Sequence, residues 1–274
     1  MKYKRGKNMQ NFNYHTHTYR CGHAQNDMKD EDVVKTFIEE GFEKIAFTDH
    51  CPEKEIIDKR KNMRMDYSQL DEYLKSIEYL KNKYKDRIEI ETGFEIEYLP
   101  GQEENLMELK RLSNKLVLGQ HFIYDENNKD LKIFRKCKFS DNDLIKYANY
   151  VKKAIELKIP DIIAHPDIYM LSREEFGENE EKVANIICSA AEKYDVPLEI
   201  NLNEPYMYYT KRKPVVKYPC KGFWKVVSTY NIRVVYGIDA HYLEQIKHFT
   251  DSIEVANDII SKDIIDKLNI CDVL

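Results

Sequence analysis

The sequence contains no long apolar run, no closely spaced cysteine pair and no excess of positive charge. No stretch approaches the roughly 18 consecutive apolar residues of a membrane span, so we expect no transmembrane helix. The segment Met1–Asn13 is rich in Lys and Arg but lacks an apolar centre, and we therefore expect no signal peptide. The net charge of -5 is unfavourable for binding long DNA or RNA, which requires a basic face. It permits a small phosphorylated ligand held by a few local cations.

The six cysteines are dispersed, and no two of them form a Cys-x-x-Cys pair. This distribution indicates reduced thiols in a cytoplasmic protein rather than a disulfide framework. Hydrophobic residues make up 42% of the 274 positions, which is typical of a globular chain. There is no Gly/Ser-rich run, no Pro-rich stretch and no break in composition, so we expect a single domain spanning residues 1–274.

Short apolar runs alternate along the chain with longer helix-period segments. The runs are rich in Ile, Val and Phe, as buried parallel strands are, and they predict seven strands: Asn11–Tyr14, Lys44–Phe47, Arg87–Glu91, Lys115–Gly119, Asp161–Ala164, Pro197–Asn201 and Ile232–Gly237. Apolar residues at steps of three and four predict amphipathic helices between them: Asp30–Glu40, Tyr67–Leu80, Leu144–Ile155, Val183–Tyr194 and Tyr242–Ile259. This α/β order favours a parallel sheet with right-handed crossovers, either a distorted barrel or an open doubly wound sheet.

Histidine is scarce and unevenly placed in the sequence. Six of the eight histidines follow a predicted strand within a few residues: His15, His17, His50, His121, His165 and His241. His23 lies in the loop after the first strand, and only His248, in a predicted helix, stands apart. In a parallel barrel the carboxyl ends of all strands open onto one face. We therefore expect seven histidines to share one rim with Asp49, Glu95 and Asp239.

Imidazoles and carboxylates gathered on one rim predict a metal site. Protonated imidazoles would repel one another at close quarters, whereas shared cations would hold neutral ones together. Mixed nitrogen and oxygen ligands suit Zn, Fe or Mn better than Ca or Mg. The candidate ligands exceed what one tetrahedral ion needs, so two or three divalent ions are expected, with a carboxylate able to bridge. These nine candidates are His15, His17, His23, His50, Glu95, His121, His165, Asp239 and His241.

The same residues occur in motifs that resemble those of the PHP superfamily, the polymerase and histidinol phosphatase family of trinuclear metallo-phosphoesterases. The resemblance extends over essentially the whole chain, and the motifs are specific in combination. They are His15-Thr16-His17 with His23, Phe47-Thr48-Asp49-His50, Gly93-Phe94-Glu95, Gln120-His121, Ala164-His165-Pro166-Asp167 and Gly237-Ile238-Asp239-Ala240-His241. The resemblance implies a distorted seven-stranded (β/α)7 barrel, similar to a TIM barrel, and metal-dependent hydrolysis of a phosphoester.

The resemblance also implies how the ligands are shared among three metals. His15, His17, Glu95 and Asp239 would hold the first, a bridging Glu95 with His121 and His165 the second, and His23, His50 and His241 the third. Metal ions lower the pKa of bound water toward neutrality, which supplies a nucleophile. The expected catalytic residues are Glu95, Asp239 and His241, and Asp239 is expected to orient the attacking water or accept its proton.

Within the superfamily, three segments are similar to the histidinol-phosphatase branch: Arg20-Cys21-Gly22-His23-Ala24, Asp49-His50-Cys51-Pro52 and Met63-Arg64-Met65. This similarity implies hydrolysis of L-histidinol phosphate, a step of histidine biosynthesis. The sequence departs from the branch in the loop after strand six, where Lys211 and Arg212 stand far from the strand. Arg212, Lys211 and Arg64 are the expected phosphate-binding residues. The alternative is another PHP phosphoesterase, such as a phosphotyrosine phosphatase or a small-nucleotide or oligonucleotide hydrolase.

Overall fold

A computed structural model describes residues 10–54, 60, 62–125 and 130–271. Its strands are β1 Phe12–Asn13, β2 Lys44–Phe47, β3 Glu89–Ile96, β4 Lys115–Leu118, β5 Phe122–Asp125, β6 Asp130–Ile133, β7 Ile162–Ile163, β8 Leu198–Asn201, β9 Arg233–Gly237 and β10 Asn269–Ile270. Residues 1–9 of the Lys/Arg-rich amino-terminal segment lie outside the described residues. No helix among the residues that the structure describes is long and apolar enough to cross a membrane.

The helices are α1 Asp30–Glu39, α2 Leu70–Tyr84, α3 Glu103–Leu112, α4 Asp141–Glu156, α5 Glu178–Tyr194, α6 Asn203–Tyr209, α7 Lys221–Val227, α8 Leu243–Lys247, α9 Phe249–Ile260 and α10 Lys262–Ile265. All five predicted helical segments are present, the last one divided into α8 and α9 at His248. Helix α4 begins where the Ser140 side chain and Asp143 cap each other reciprocally, and Lys132 also binds the Asp143 carboxylate.

The main sheet is parallel and has the order β1-β2-β3-β4-β7-β8-β9-β10. Each of the seven predicted strands is part of it, but the sheet has an eighth, Asn269–Ile270, so the expected count of seven is not confirmed. Two residues carry too little periodicity to reveal a strand, and β10 forms because β9 offers it an edge. The remaining strands, β5 and β6, form an antiparallel hairpin in the loop after β4.

Strand β3 runs five residues beyond its predicted end at Glu91, so Glu95 lies inside it. Gly93 interrupts the apolar pattern inside this strand. The glycine is required by close packing of β3 against β4, because a Cβ at this position would lie 2.5 Å from the Lys115 carbonyl oxygen.

The sheet curls until its first strand meets the end of β9. A parallel bridge joins Thr16 to Ala240, and the His17 amide donates to the Ala240 carbonyl oxygen at 3.0 Å. A small cluster of buried side chains from alternate strand positions occupies one face of the curl, while a larger cluster lies between sheet and helices. The small cluster comprises Phe12, Tyr14, Ala46, Val117, Ile162, Ala164 and Val235. The α/β fold is therefore barrel-like, and its strand ends form one rim.

Candidate metal centre

All nine candidate ligands lie together at the carboxyl ends of the strands. His15 and His17 follow β1, His50 follows β2, and Glu95 is the penultimate residue of β3. The parallel register continues past β2, where His50 pairs with Glu95 in an isolated bridge. His121, His165, Asp239 and His241 follow β4, β7 and β9, and His23 reaches the rim from the loop after β1. The predicted convergence is thus observed, while the metal-binding roles of these residues remain predictions.

Glu95 is the centre of the cluster. Its carboxylate is buried, and five imidazole nitrogens surround it. The distances to its oxygens are 2.9 Å from His50 Nδ1, 3.0 Å from His165 Nε2, 3.4 Å from His17 Nε2, 3.5 Å from His15 Nε2 and 3.6 Å from His121 Nε2. Although burial alone would raise the pKa of Glu95, the surrounding imidazoles hold it well below its usual value. Glu95 is therefore a carboxylate at neutral pH.

Gly119, directly after β4, provides the space that Glu95 occupies. A Cβ at Gly119 would lie 1.7 Å from Glu95 Oε1, which is far too close for two atoms that are not bonded, so the carboxylate would have to move. The small residue before the Gln120-His121 motif is therefore required by the carboxylate beside it.

Asp239 forms the other carboxylate of the cluster. Its Oδ1 lies 3.1 Å from His17 Nε2 and 3.6 Å from His15 Nε2. Asp239 has a φ of 52° and His165 a φ of 30°, a left-handed region that residues with a Cβ rarely adopt. Such conformations cost on the order of 1–3 kcal/mol each and are concentrated at functional sites. The chain thus accepts strain at two candidate ligands.

The contact between His23 and His241 indicates a positive charge between the two rings. Each Nδ1 donates to a main-chain carbonyl oxygen at 3.0 Å, His23 to Cys21 and His241 to Asp239. Burial and the neighbouring imidazole lower the pKa of His23 to about 4, and burial and His17 do the same for His241. Both rings are then neutral, and their Nε2 lone pairs face each other at 2.8 Å. Two lone pairs at this distance are repulsive unless a positive ion lies beside them.

Further buried atoms of the cluster make no contact with hydrogen-bond geometry among the described residues, although some lie close to a carboxylate oxygen. They are His15 Nε2, both ring nitrogens of His17, His50 Nδ1, Glu95 Oε2 and His165 Nδ1. An unsatisfied buried polar group costs about 1–3 kcal/mol, so six of them in one place indicate missing ligation. Imidazole nitrogens and carboxylate oxygens are suitable donors for divalent transition metals. The residues therefore fit divalent metal binding.

The sequence reasoning missed two carboxylates that hold candidate ligands from behind. Both Glu199 oxygens lie close to His15 Nδ1, at 3.0 and 2.9 Å, and Glu97 Oε1 lies 3.1 Å from His121 Nδ1. A carboxylate on the far ring nitrogen fixes the tautomer and orientation of a metal-binding histidine. The signal was an acidic residue between two apolar ones, because Glu199 stands between Leu198 and Ile200 of β8. Asp49 of the predicted rim instead accepts hydrogen bonds from the Thr18 amide and hydroxyl.

A cavity of about 610 Å³ opens above the cluster. Six candidate ligands line it: His23, His50, Glu95, His121, Asp239 and His241. Of the three expected phosphate-binding residues, only Arg64 lines this cavity, where it contacts Glu97 at 3.4 Å. Lys211 and Arg212 are exposed and are not among the lining residues. The cavity wall instead includes Arg60, Arg135 and Lys136, which the sequence reasoning did not single out.

The chain is similar to several curated proteins. It is 32% identical to the histidinol-phosphatase of Bacillus subtilis over 101 residues, which covers 36% of this chain and 37% of the relative. A Schizosaccharomyces pombe protein assigned as a histidinol-phosphatase is 33% identical over 38% of this chain and 35% of its own. These two matches thus span little more than a third of each relative. A Deinococcus radiodurans protein with the same assignment is 24% identical over 89% of this chain and 92% of its own.

Two solved structures have a similar fold. A Listeria monocytogenes protein assigned as a histidinol phosphatase matches with a TM-score of 0.71 at 24% identity, covering 87% of this chain and 99% of that one. The histidinol phosphate phosphatase of Lactococcus lactis, complexed with zinc, L-histidinol and phosphate, matches with a TM-score of 0.65 at 17% identity over 90% of this chain and 94% of that one. The PHP domain model matches residues 13–203, well over half of the sequence, and the chain therefore belongs to the PHP domain family.

Proposed function

We propose that this chain is a metal-dependent phosphomonoesterase that hydrolyses L-histidinol phosphate to L-histidinol and phosphate, in histidine biosynthesis. The observation that carries this proposal is the convergence of nine imidazole and carboxylate groups beneath a cavity with a cationic wall. Such a cavity suits a small ligand with a phosphoryl group, since cations attract the phosphoryl oxygens and metal ligands lie below. The histidinol-phosphatase relatives, and the zinc, histidinol and phosphate bound by the Lactococcus lactis protein, support this choice of substrate.

The proposed cofactors are two or three divalent ions of Zn, Fe or Mn. When bound, such ions lower the pKa of water from about 15.7 to about 7 and offset charge on the phosphoryl oxygens. Glu95 is proposed to bridge two of the ligand sets, because imidazoles approach both of its oxygens. For the other ligands, we propose the assignment to three metals that the family resemblance implies.

Asp239 is proposed to orient the attacking water and to accept its proton. Although burial alone would raise the pKa of Asp239, the neighbouring His15, His17 and His241 hold it well below its usual value. The group is therefore an ionised acceptor at neutral pH. Its Oδ2 accepts weak hydrogen bonds from Asn201 at 3.3 Å, which leaves Oδ1 toward the histidines. His241 Nδ1 lies 3.4 Å from that oxygen and is proposed to keep the carboxylate in place.

The whole of residues 1–274 is proposed to form one PHP-type phosphoesterase domain that works in the cytoplasm. Strands β9 and β10 follow the matched segment 13–203, yet both pair within the main sheet, which supports a single domain. All six cysteines are free, which supports a reducing compartment.

Steady-state phosphate release from a panel of phosphomonoesters tests the substrate. The panel comprises L-histidinol phosphate, phosphotyrosine, nucleoside monophosphates and p-nitrophenyl phosphate, with metal content measured on the same sample. We expect the highest kcat/KM for L-histidinol phosphate and at least two equivalents of metal. Equal or lower turnover of that substrate than of the others would overturn the substrate assignment and leave a phosphomonoesterase of different specificity.

A matched pair of histidine variants tests the metal dependence. His17→Gln removes a buried imidazole of the cluster. His248→Gln removes an imidazole outside the cluster, whose Nδ1 lies 2.7 Å from an Asp251 carboxylate oxygen. We expect His17→Gln and chelator treatment to abolish phosphate release and His248→Gln to retain it. Full activity in the chelated, metal-free protein would refute the mechanism.

A further inference from the structure

We propose that Arg135 and Tyr218 together bind the phosphoryl group of the substrate, a role that the sequence analysis expected of Arg212, Lys211 and Arg64. This proposal rests on the proposed phosphomonoesterase activity and names the side of the cavity that holds the anion. Arg135 follows β6, and Tyr218 precedes α7, so two loops far apart in sequence supply the pair. Both residues line the cavity above the candidate metal ligands.

The Arg135 guanidinium contacts a hydroxyl group rather than a carboxylate among the described residues. Its guanidinium donates to the Tyr218 hydroxyl oxygen at 3.4 Å, and it forms no ion pair with any acidic residue in the part of the chain that the structure describes. Arg64, on the same wall, differs because it contacts Glu53 at 3.5 Å and Glu97 at 3.4 Å. An uncompensated guanidinium facing a cavity attracts an anion, and its planar set of N–H donors suits phosphoryl oxygens.

Tyr218 is held rigidly beside the metal cluster. Its side chain is buried, and its ring packs edge-on against His165 with 6.1 Å between ring centroids. The buried Glu204 carboxylate accepts hydrogen bonds from the Lys217 amide at 2.6 Å and from the Tyr218 amide at 3.3 Å. These contacts place the phenol at the cavity before any ligand arrives, so little ordering cost remains for binding.

The Tyr218 hydroxyl is able to donate into the cavity. A tyrosine phenol carries an O–H donor at neutral pH. Arg135 occupies an acceptor position of the oxygen, and no described residue accepts the hydroxyl proton. That proton is therefore available to an oxygen of the ligand. A guanidinium and an oriented hydroxyl together offer several donors to one phosphoryl group.

Arg212 lies outside this arrangement. Its guanidinium is exposed and is located 5.1 Å from the Tyr242 ring centroid and 5.6 Å from that of Tyr206. These contacts hold it against aromatic rings, and it does not line the cavity.

Binding of inorganic phosphate to the metal-loaded protein, measured by isothermal titration calorimetry, tests the proposal independently of turnover. Arg135→Gln removes the charge, and Tyr218→Phe removes only the hydroxyl. A hydrogen bond to a charged group corresponds to about 10- to 100-fold in affinity, so we expect that weakening for Arg135→Gln and about tenfold for Tyr218→Phe. The matched controls are Arg233→Gln, at the amino end of β9, and the exposed Tyr79→Phe, both expected to bind as wild type does.

Metal content and KM for p-nitrophenyl phosphate are measured on the same samples. The proposal requires unchanged metal content with a raised KM, which a merely structural effect on the cluster would not produce. Wild-type affinity in both Arg135→Gln and Tyr218→Phe overturns it, as does a weakening seen only in Arg212→Gln. If Arg135→Gln fails to fold, Tyr218→Phe decides. Loss of histidinol phosphate specificity with intact phosphate binding refutes only the proposed function.

Discussion

Glu199→Gln isolates the contribution of a carboxylate that touches a candidate ligand without facing the cavity. Glu199 is 2% exposed, and its oxygens lie 3.0 and 2.9 Å from His15 Nδ1. The carboxylate also accepts from Asn201 Nδ2 at 2.8 Å. Gln has nearly the same shape, but it has no charge and only one acceptor oxygen. The variant is therefore expected to loosen the His15 ring and to permit the tautomer whose Nε2 carries a proton and cannot bind metal.

Loss of such a supporting partner typically reduces metal affinity by about 10- to 100-fold. This corresponds to about 1.4–2.8 kcal/mol of binding free energy. The structure favours the upper part of that range, because both carboxylate oxygens face the same ring nitrogen and both side chains are buried. Gly237 gives independent access to the same contact, since a Cβ there would lie 2.1 Å from Glu199 Oε2. Gly237→Ala is expected to displace the carboxylate and to weaken metal binding similarly.

Competition with a chromogenic chelator measures the metal affinity, and nitrogen NMR of the imidazole rings reports the histidine tautomer. Glu89→Gln is the matched control, because Glu89 lies on β3 and binds Lys44 at 2.9 Å, at the opposite end of that strand from the cluster. Equal metal affinity in Glu199→Gln and Glu89→Gln would refute the reasoning. Reduced affinity with wild-type thermal stability of the apoprotein would confirm that Glu199 acts on the metal through His15.

Three further substitutions test the packing and charge arguments. Gly119→Ala is expected to displace Glu95 and to lower metal content at least tenfold, and wild-type metal content by elemental analysis would contradict the clearance argument. Asp30→Asn removes a carboxylate 2.7 Å from the buried Arg20 guanidinium and is expected to cost about 3 kcal/mol of unfolding free energy, measured by urea denaturation. Burial alone would raise the pKa of Asp143, but hydrogen bonds from its lysine and serine partners lower this pKa below 3.8. The ionised carboxylate therefore stabilises the fold above pH 3.8, and this stabilisation is lost as the pH falls through the pKa of the folded state. The stability difference between wild type and Asp143→Asn is therefore expected at pH 7 and to shrink at pH 3 and below; a constant difference would refute the assignment.

The convergence of the candidate metal ligands could be predicted because its signal is local and chemical. Each candidate ligand follows, or closes, a short apolar run, and the parallel order of those runs places their ends on one rim. His248 shows that position relative to the strands separates candidate ligands from other histidines, because it lies between helices α8 and α9 and outside the cluster. The amphipathic helices were predictable for the same reason, because a period of three to four residues is readable over one segment.

The eighth strand and the carboxylates that position His15 and His121 could not be predicted, because they depend on contacts between residues far apart in the sequence. Asn269–Ile270 is a strand only because β9 presents an unpaired edge. Glu199 appears as an isolated acidic residue in β8 and Glu97 directly follows β3, and the role of each depends on which histidine lies beside it.

The sequence alone determined which side chains can bind a metal, which strands end beside them and which helices alternate with those strands. The tertiary structure alone decided which cations reach the cavity. Arg212 and Arg135 are equally charged in the sequence, but loops follow paths set by distant contacts, such as Glu204 holding the 217–218 backbone. Periodic elements are specified by neighbours within a few residues, whereas loop positions are specified by contacts across the whole fold.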